Sequence, residues 1–159
     1  HEDVRPDITV IGKALSGGFY PVSAVLADEP ILGLFQPGEH GSTFGGSPLG
    51  AAVARAALAV IRDEALAENA RVQGQYLAEQ LAEIPSRHVK EVRGKGLLIG
   101  VELKPDAGGA RRFCVALQAR GILAKETHTH VIRFAPPLII QRETIDWALP
   151  NIREVLTMA

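Results

Sequence analysis

The apolar positions fall into runs of two kinds, and each kind predicts a different element. Ile8-Thr9-Val10-Ile11 is apolar but for one threonine. A short continuous run of this sort predicts a strand covered on both faces, as in a parallel sheet. Val22-Ser23-Ala24-Val25-Leu26 predicts a second strand, with Pro21 at its start, where a missing amide donor is tolerated. Glu29 to Phe35 predicts a short helix. Ser47-Pro48 opens a longer, alanine-rich helix through Arg62, with Ser47 as N-cap and Pro48 in the first helical position. Leu66, Ala70, Leu77, Leu81 and Ile84 then recur at helical spacing and predict a helix over 66–84. Val89–Val92 and Leu97–Leu103 read as strands around the turn Gly94-Lys95-Gly96. Residues 110–120 read as a helix with Phe113, Ala116 and Leu117 inward and Gly121 as its C-cap. Ile122–Ala124 and Val131–Phe134 are short strands. Ile145, Leu149, Ile152 and Leu156 make a final amphipathic helix, which Pro150 should interrupt and kink at a cost of about 3 kcal/mol if unrelieved.

This order divides the chain near residue 63. Residues 1–63 read as the end of an α/β domain, and 64–159 as a small α+β domain with its own sheet. The first part has too few strands to close a sheet around Ile8–Ile11, and open edges invite association. It also starts at His1 and runs almost directly into that strand. Both features lead us to expect a preceding segment, in the same polypeptide or in another.

Composition narrows the function classes. The 159 residues are 47% hydrophobic and 22% charged, with a net charge of -1, which suits a globular protein. A nucleic-acid partner would call for a basic patch, and a membrane span for about 20 apolar residues; neither is expected. No signal peptide is expected from these residues. A single cysteine, Cys114, excludes an internal disulfide and suits a reducing, cytoplasmic setting.

Three segments carry chemistry. Lys13 follows the apolar run and Gly12, has no charged neighbour within five residues on either side, and starts the small-residue loop Ala14-Leu15-Ser16-Gly17-Gly18. An amine kept from water loses part of its preference for the charged form, and the neutral amine attacks carbonyls to form a Schiff base. The alternative is a loop lysine that reaches solvent. Gly38 to Gly46 is rich in glycine, whose backbone freedom gathers amides into an anion nest, and Ser42 and Thr43 add hydroxyls. The alternative is a flexible loop with capping hydroxyls. Arg133 lies in Ile132-Arg133-Phe134-Ala135-Pro136-Pro137, an arginine among apolar residues. Its fork suits a carboxylate, supplied by a ligand or by an internal Asp or Glu. An amine, a phosphate nest and a carboxylate clamp together match an amino acid meeting pyridoxal phosphate.

The chain resembles the C-terminal portion of the class III pyridoxal-phosphate aminotransferases, and among them the ornithine aminotransferases. The resemblance rests on residues 12–26, 37–46, 92–98, 121–125 and 132–138, which keep the family's order over nearly the whole chain; Tyr20-Pro21-Val22-Ser23 favours ornithine over acetylornithine or 4-aminobutyrate. It implies the fold type I PLP-dependent transferase fold, an α/β fold, here incomplete: the end of the large domain plus the small C-terminal α+β domain. It implies that Lys13 forms the covalent link to the cofactor and later moves a proton. Thr43 would bind the cofactor phosphate from the partner subunit of a dimer, Ser42 would assist through its backbone amide, and Arg133 would bind a substrate carboxylate. The implied reaction moves the δ-amino group of ornithine to 2-oxoglutarate.

Two departures stand out, Ser47 where the family usually has asparagine and Pro150 in the last helix. The family's cofactor carboxylate, stacking aromatic and main phosphate loop precede the lysine and are not in these residues, so the chain is expected to be inactive without the N-terminal half. A non-enzymatic remnant or an interaction half of a split enzyme is the alternative. His128 and His130 alternate as strand neighbours would, but further metal ligands are wanting and no metal is expected. Cys114 is expected to pack, Arg111 and Arg112 to face solvent, and Trp147 to be a partly buried anchor.

Overall fold

The first apolar run does form a strand, β1 (Ile8–Ile11), and Ala24–Ala27 forms β2. The two pair antiparallel, Val10 opposite Val25, which corrects the expectation of a covered parallel strand. The twelve residues between them hold only a 3-10 turn, Lys13–Ser16, and a parallel pairing needs a crossover, usually a helix. Val10 is 72% exposed: a continuous apolar run says that both faces favour burial but not what buries them. The computed structural model describes residues 3–159, and its contacts divide the chain into two units, one ending at Glu64 and the other spanning Ala65–Ala159. The first unit is completed by two helices, α1 (Glu29–Leu32) and α2 (Pro48–Asp63). Ser47 caps α2 as expected, its hydroxyl accepting from Gly50 N–H at 3.5 Å, with Pro48 in the first turn.

The second unit is a helix-backed antiparallel sheet. Helix α3 (Leu66–Ala82) leads into β3 (Val89–Lys95) and β4 (Leu98–Leu103); α4 (Arg111–Gln118) leads into β5 (Lys125–Thr127) and β6 (Val131–Phe134); α5 (Arg142–Thr157) closes the unit. Strand order is β3-β4-β6-β5, and every pairing is antiparallel. Ile99, Val101 and Leu103 alternate along β4 and are buried with Ile132 and Phe134 of β6. Leu77, Leu81, Phe113, Leu117, Ile145, Ile152 and Leu156 from the helices complete this core. The other face of the sheet carries Arg93, Gly100, Glu102, Lys125 and Arg133.

Several boundaries differ from the sequence reading. Residues 122–124 are not a strand, and the end of α4 takes up the Ile122 N–H. Gly121 takes φ 78°, its N–H donates to Gln118 O at 3.0 Å, and Ile122 N–H donates to Leu117 O at 3.0 Å. That is the glycine-terminated Schellman arrangement, and β5 starts after it. The β3–β4 turn is Gly96-Leu97, since Lys95 already pairs with Leu98. Helix α5 runs unbroken through Pro150, which lies on its exposed side. Trp147 is 56% exposed rather than an anchor. His128 and Thr129 have φ of 49° and 62° and form the β5–β6 turn, so His128 and His130 are not strand neighbours. Among the described residues no group of three His, Cys, Asp or Glu could hold a metal ion.

Candidate active site

Lys13 is placed by β1 and by the turn that ends it. The strand delivers Gly12, and the chain then enters the 3-10 turn with Lys13 at φ 54°. A non-glycine residue in this left-handed region is strained by about 1–2 kcal/mol, and such outliers cluster at functional sites. The loop behind it is held by Ser16, the one buried side chain of the turn. Its hydroxyl accepts from Tyr20 N–H at 3.1 Å and donates to Tyr20 O. Ser16 was missed as a positioning residue; the available signal was a lone hydroxyl four residues before the tyrosine of a glycine loop. Lys13 itself is exposed, which corrects the expectation that the chain keeps its amine from water. The unit that carries it leaves β1 and its surroundings uncovered. Among the described residues no hydrogen bond or ion pair engages the Lys13 amine.

Ser42 and Thr43 lie in the loop between α1 and α2. Ser42 Oγ accepts from Gly45 N–H at 3.1 Å, which folds the loop back on itself. A Cβ on Gly45 would come within 2.9 Å of Ser42 Cβ, so glycine is needed for that closure. Gly38 and Gly46 take φ of 92° and 72°. Among the described residues, the Thr43 hydroxyl and the amides of Gly41, Ser42, Thr43 and Phe44 have no protein partner. The loop is exposed and rich in uncommitted donors.

Arg133 belongs to the second unit. It sits in β6 opposite Gly100 of β4 and Lys125 of β5, and it is exposed. The internal ion pair weighed from the sequence does not form: among the described residues no carboxylate pairs with Arg133. Lys13, Ser42 and Thr43 thus lie in the first unit and Arg133 in the second. A shallow groove of about 500 Å³ in the second unit, lined by Ile84, Ser86, Val89 and Glu91 among others, holds none of the four. Among the described residues no helix is long and apolar enough to cross a membrane.

The first unit thus carries a strand that ends on a strained, uncommitted lysine, and a donor-rich glycine loop. Residues 1–156 match the family described as aminotransferase class-III, and the chain belongs to that family, whose members depend on pyridoxal phosphate. The ornithine aminotransferase of Bordetella pertussis is 58% identical over 156 residues, which are 98% of this chain and 38% of that protein. That of Bacillus subtilis is 51% identical over 158 residues, 99% of this chain and 39% of its own length. Among solved structures, an ornithine aminotransferase from Toxoplasma gondii superposes with a TM-score of 0.92 at 41% identity, over 98% of this chain and 38% of that one. The acetylornithine aminotransferase of Elizabethkingia anophelis gives 0.91 at 47% identity, over 98% and 40%. The chain therefore spans about two fifths of the length of these relatives.

The residues present fit the cofactor in kind. An uncommitted primary amine suits an aldehyde carbon, and a hydroxyl with unpaired loop amides suits a phosphate.

Proposed function

We propose that the chain is the C-terminal portion of an ornithine aminotransferase working in the cytoplasm, with residues 1–63 ending the large cofactor-binding domain and 64–159 forming the small domain. Its reaction moves the δ-amino group of ornithine to 2-oxoglutarate. The observation that carries this reading is Lys13, an amine with no internal partner, held in left-handed backbone at the end of β1 in a chain of this family.

Pyridoxal phosphate, when bound, supplies the electron sink that stabilises negative charge on the substrate carbon. Lys13 would hold the cofactor covalently through its amine, with water as the leaving group. The same amine, when free, would take and return the proton at the reacting carbon. The Thr43 hydroxyl and the Ser42 amide donate to the phosphate, Thr43 reaching into the neighbouring subunit of a dimer. Each such bond to a charged group contributes on the order of 1.5–3 kcal/mol. Arg133 receives a substrate carboxylate through its paired N–H groups.

These 159 residues alone are inactive in this reading, because the groups that stack on the cofactor ring and pair with its nitrogen belong to the N-terminal portion. The Elizabethkingia relative, 47% identical, favours acetylornithine as the competing amine donor. The test combines the chain with the N-terminal portion of the Bordetella relative and the cofactor, then traps the linkage with borohydride. Peptide mapping should place the label on Lys13. Glutamate should form with ornithine and not with acetylornithine, and Lys13→Ala should remove both label and turnover. A label on another lysine, or turnover by Lys13→Ala, would sink the assignment; preference for acetylornithine would replace the substrate.

A further inference from the structure

Residues 12–23 join β1 to β2, and strand pairing fixes only their two ends, where Ile11 lies opposite Ala24. A loop held only at its ends has many conformations open to it. Lys13 within it nevertheless takes left-handed backbone, and such a conformation persists where the surrounding structure over-determines it. Two bonds act locally: Leu15 N–H donates to Gly12 O at 3.2 Å, and Gly17 N–H to Ala14 O at 2.9 Å. The wider constraint is Ser16, which is 3% exposed. Its hydroxyl accepts from Tyr20 N–H at 3.1 Å and donates to Tyr20 O. One side chain thereby satisfies both backbone groups of a residue four positions on. Phe19 N–H donates to Ser16 O at 3.2 Å and closes the same turn.

Tyr20 is itself held. Pro21 follows it with a fixed φ, and the chain leads into β2. The Tyr20 ring lies against the buried Gly50 of α2, where an added Cβ would come within 3.4 Å of the ring. On the other side of Lys13, a Cβ added at Gly12 would be 3.1 Å from Ser23 Cβ. Contacts thus run in a closed circuit, from β1 through Lys13 and Ser16 to Tyr20, and back through Ser23 and β2 to β1. Among the described residues, the side-chain hydrogen bonds in this circuit all come from Ser16.

We propose that Ser16 is a positioning residue for Lys13. Its hydroxyl staples the loop, and the stapled loop fixes the backbone from which the Lys13 amine reaches the cofactor and the proton at the reacting carbon. The proposal rests on the reading of Lys13 as the cofactor-linked lysine, and adds a buried residue whose hydroxyl is committed to Tyr20. The two tasks of Lys13 differ in what they tolerate. A covalent link forms once and survives a loose backbone. Proton transfer recurs in every turnover, and a misplacement of about 1 Å costs up to about a hundredfold in rate. Cutting the staple therefore separates the two tasks.

The test uses the chain combined with the N-terminal portion of the Bordetella relative and the cofactor, and compares the parent with Ser16→Ala and Ser16→Thr. Borohydride should label Lys13 in all three. Turnover per labelled Lys13 should fall about tenfold to a hundredfold in Ser16→Ala, with kcat and kcat/KM falling together. Ornithine carrying deuterium on its δ-carbon should show a larger isotope effect on kcat in that variant than in the parent. Ser16→Thr keeps the hydroxyl and should recover most of the turnover. Because its added methyl enters a buried position, hydrogen exchange of the Tyr20 amide is measured as well: slow in the parent and fast in Ser16→Ala. Unchanged turnover per labelled Lys13 in Ser16→Ala overturns the proposal. Equal loss of label and turnover, the mark of plain unfolding, overturns it too, and so does fast Tyr20 exchange in the parent. An unlabelled Lys13 in the parent strikes the cofactor reading and takes this proposal with it; a labelled parent with an indifferent Ser16→Ala strikes this proposal alone.

Discussion

Gly74 of α3 lies directly on the backbone of Gly96 at the β3–β4 turn, so closely that a Cβ built at Gly74 would overlap the Gly96 carbonyl. Gly74 is buried in the middle of its helix. Helix propensity alone favours alanine there by about 1 kcal/mol. The missing space outweighs it, because the obstructing atoms are backbone, which no side-chain rotation moves aside. Gly74→Ala should destabilise the second unit by about 1–3 kcal/mol, seen as a lower denaturant midpoint with an unchanged slope. A midpoint equal to or above that of the parent chain would show that the turn yields.

A second prediction follows from charge. Glu102 has its carboxyl held below the usual carboxylate range, first by the hydrogen bond from Lys90 and then by that from Arg93. A group with a depressed folded-state value contributes stability above its unfolded value, about 4.3 for glutamate. That contribution is lost as pH falls through the lower, folded value. Glu102→Gln should therefore lower the melting temperature at pH 7, and its deficit should shrink as pH drops below about 4. Added salt should narrow the gap at pH 7 as well, since the cluster is partly solvated. A deficit unchanged between pH 7 and pH 3 would remove the carboxylate from the account.

Cys114 gives a kinetic prediction. It is buried in α4 beside Phe113. Burial pushes its thiol value up, with the Glu126 charge adding to the effect, and it is the thiolate that reacts. Labelling by an aromatic disulfide reagent at pH 8 should be slow and should follow opening of the second unit. Gly74→Ala should accelerate it by the factor its destabilisation implies. Fast labelling, indifferent to that variant, would place Cys114 in a locally mobile helix.

The helices and the sheet of the second unit were legible because their signals are local. Leu77 and Leu81 at helical spacing, Ile99 and Val101 in alternation, and Gly121 past a helix end each report one periodicity or one cap. What was not legible depends on neighbours far away in sequence. Ile8–Ile11 announces burial without naming its cover, and the antiparallel pairing with β2 was not readable from the run itself. The solvent exposure of Trp147 and Pro150 depends on which side of α5 meets the core, and one wide apolar stripe does not settle it. For the site, amine, loop and guanidinium were each visible as anomalies of charge or glycine content. The placement of Arg133 opposite Lys125 was not, because register joins residues that spacing does not.

In its proposed role, Lys13 sets stability against function. Its φ of 54° costs about 1–2 kcal/mol in a residue with a Cβ, and nothing in its exposed side chain's contacts offsets that. Glycine adopts the same backbone without the clash but loses more unfolded-state entropy, about 0.5–1 kcal/mol. Lys13→Gly should therefore stabilise the first unit by about 0.5–1 kcal/mol net. Lys13→Ala keeps the Cβ and the strain, and should sit within about 0.5 kcal/mol of the parent. Both variants should lose the borohydride label equally. Denaturant midpoints of the three chains, set beside the label, separate the two effects: the amine is the chemistry, and the left-handed backbone is the conformation it is held in. If Lys13→Gly is no more stable than Lys13→Ala, the strain is not present in solution, and Lys13 owes its position to β1 alone.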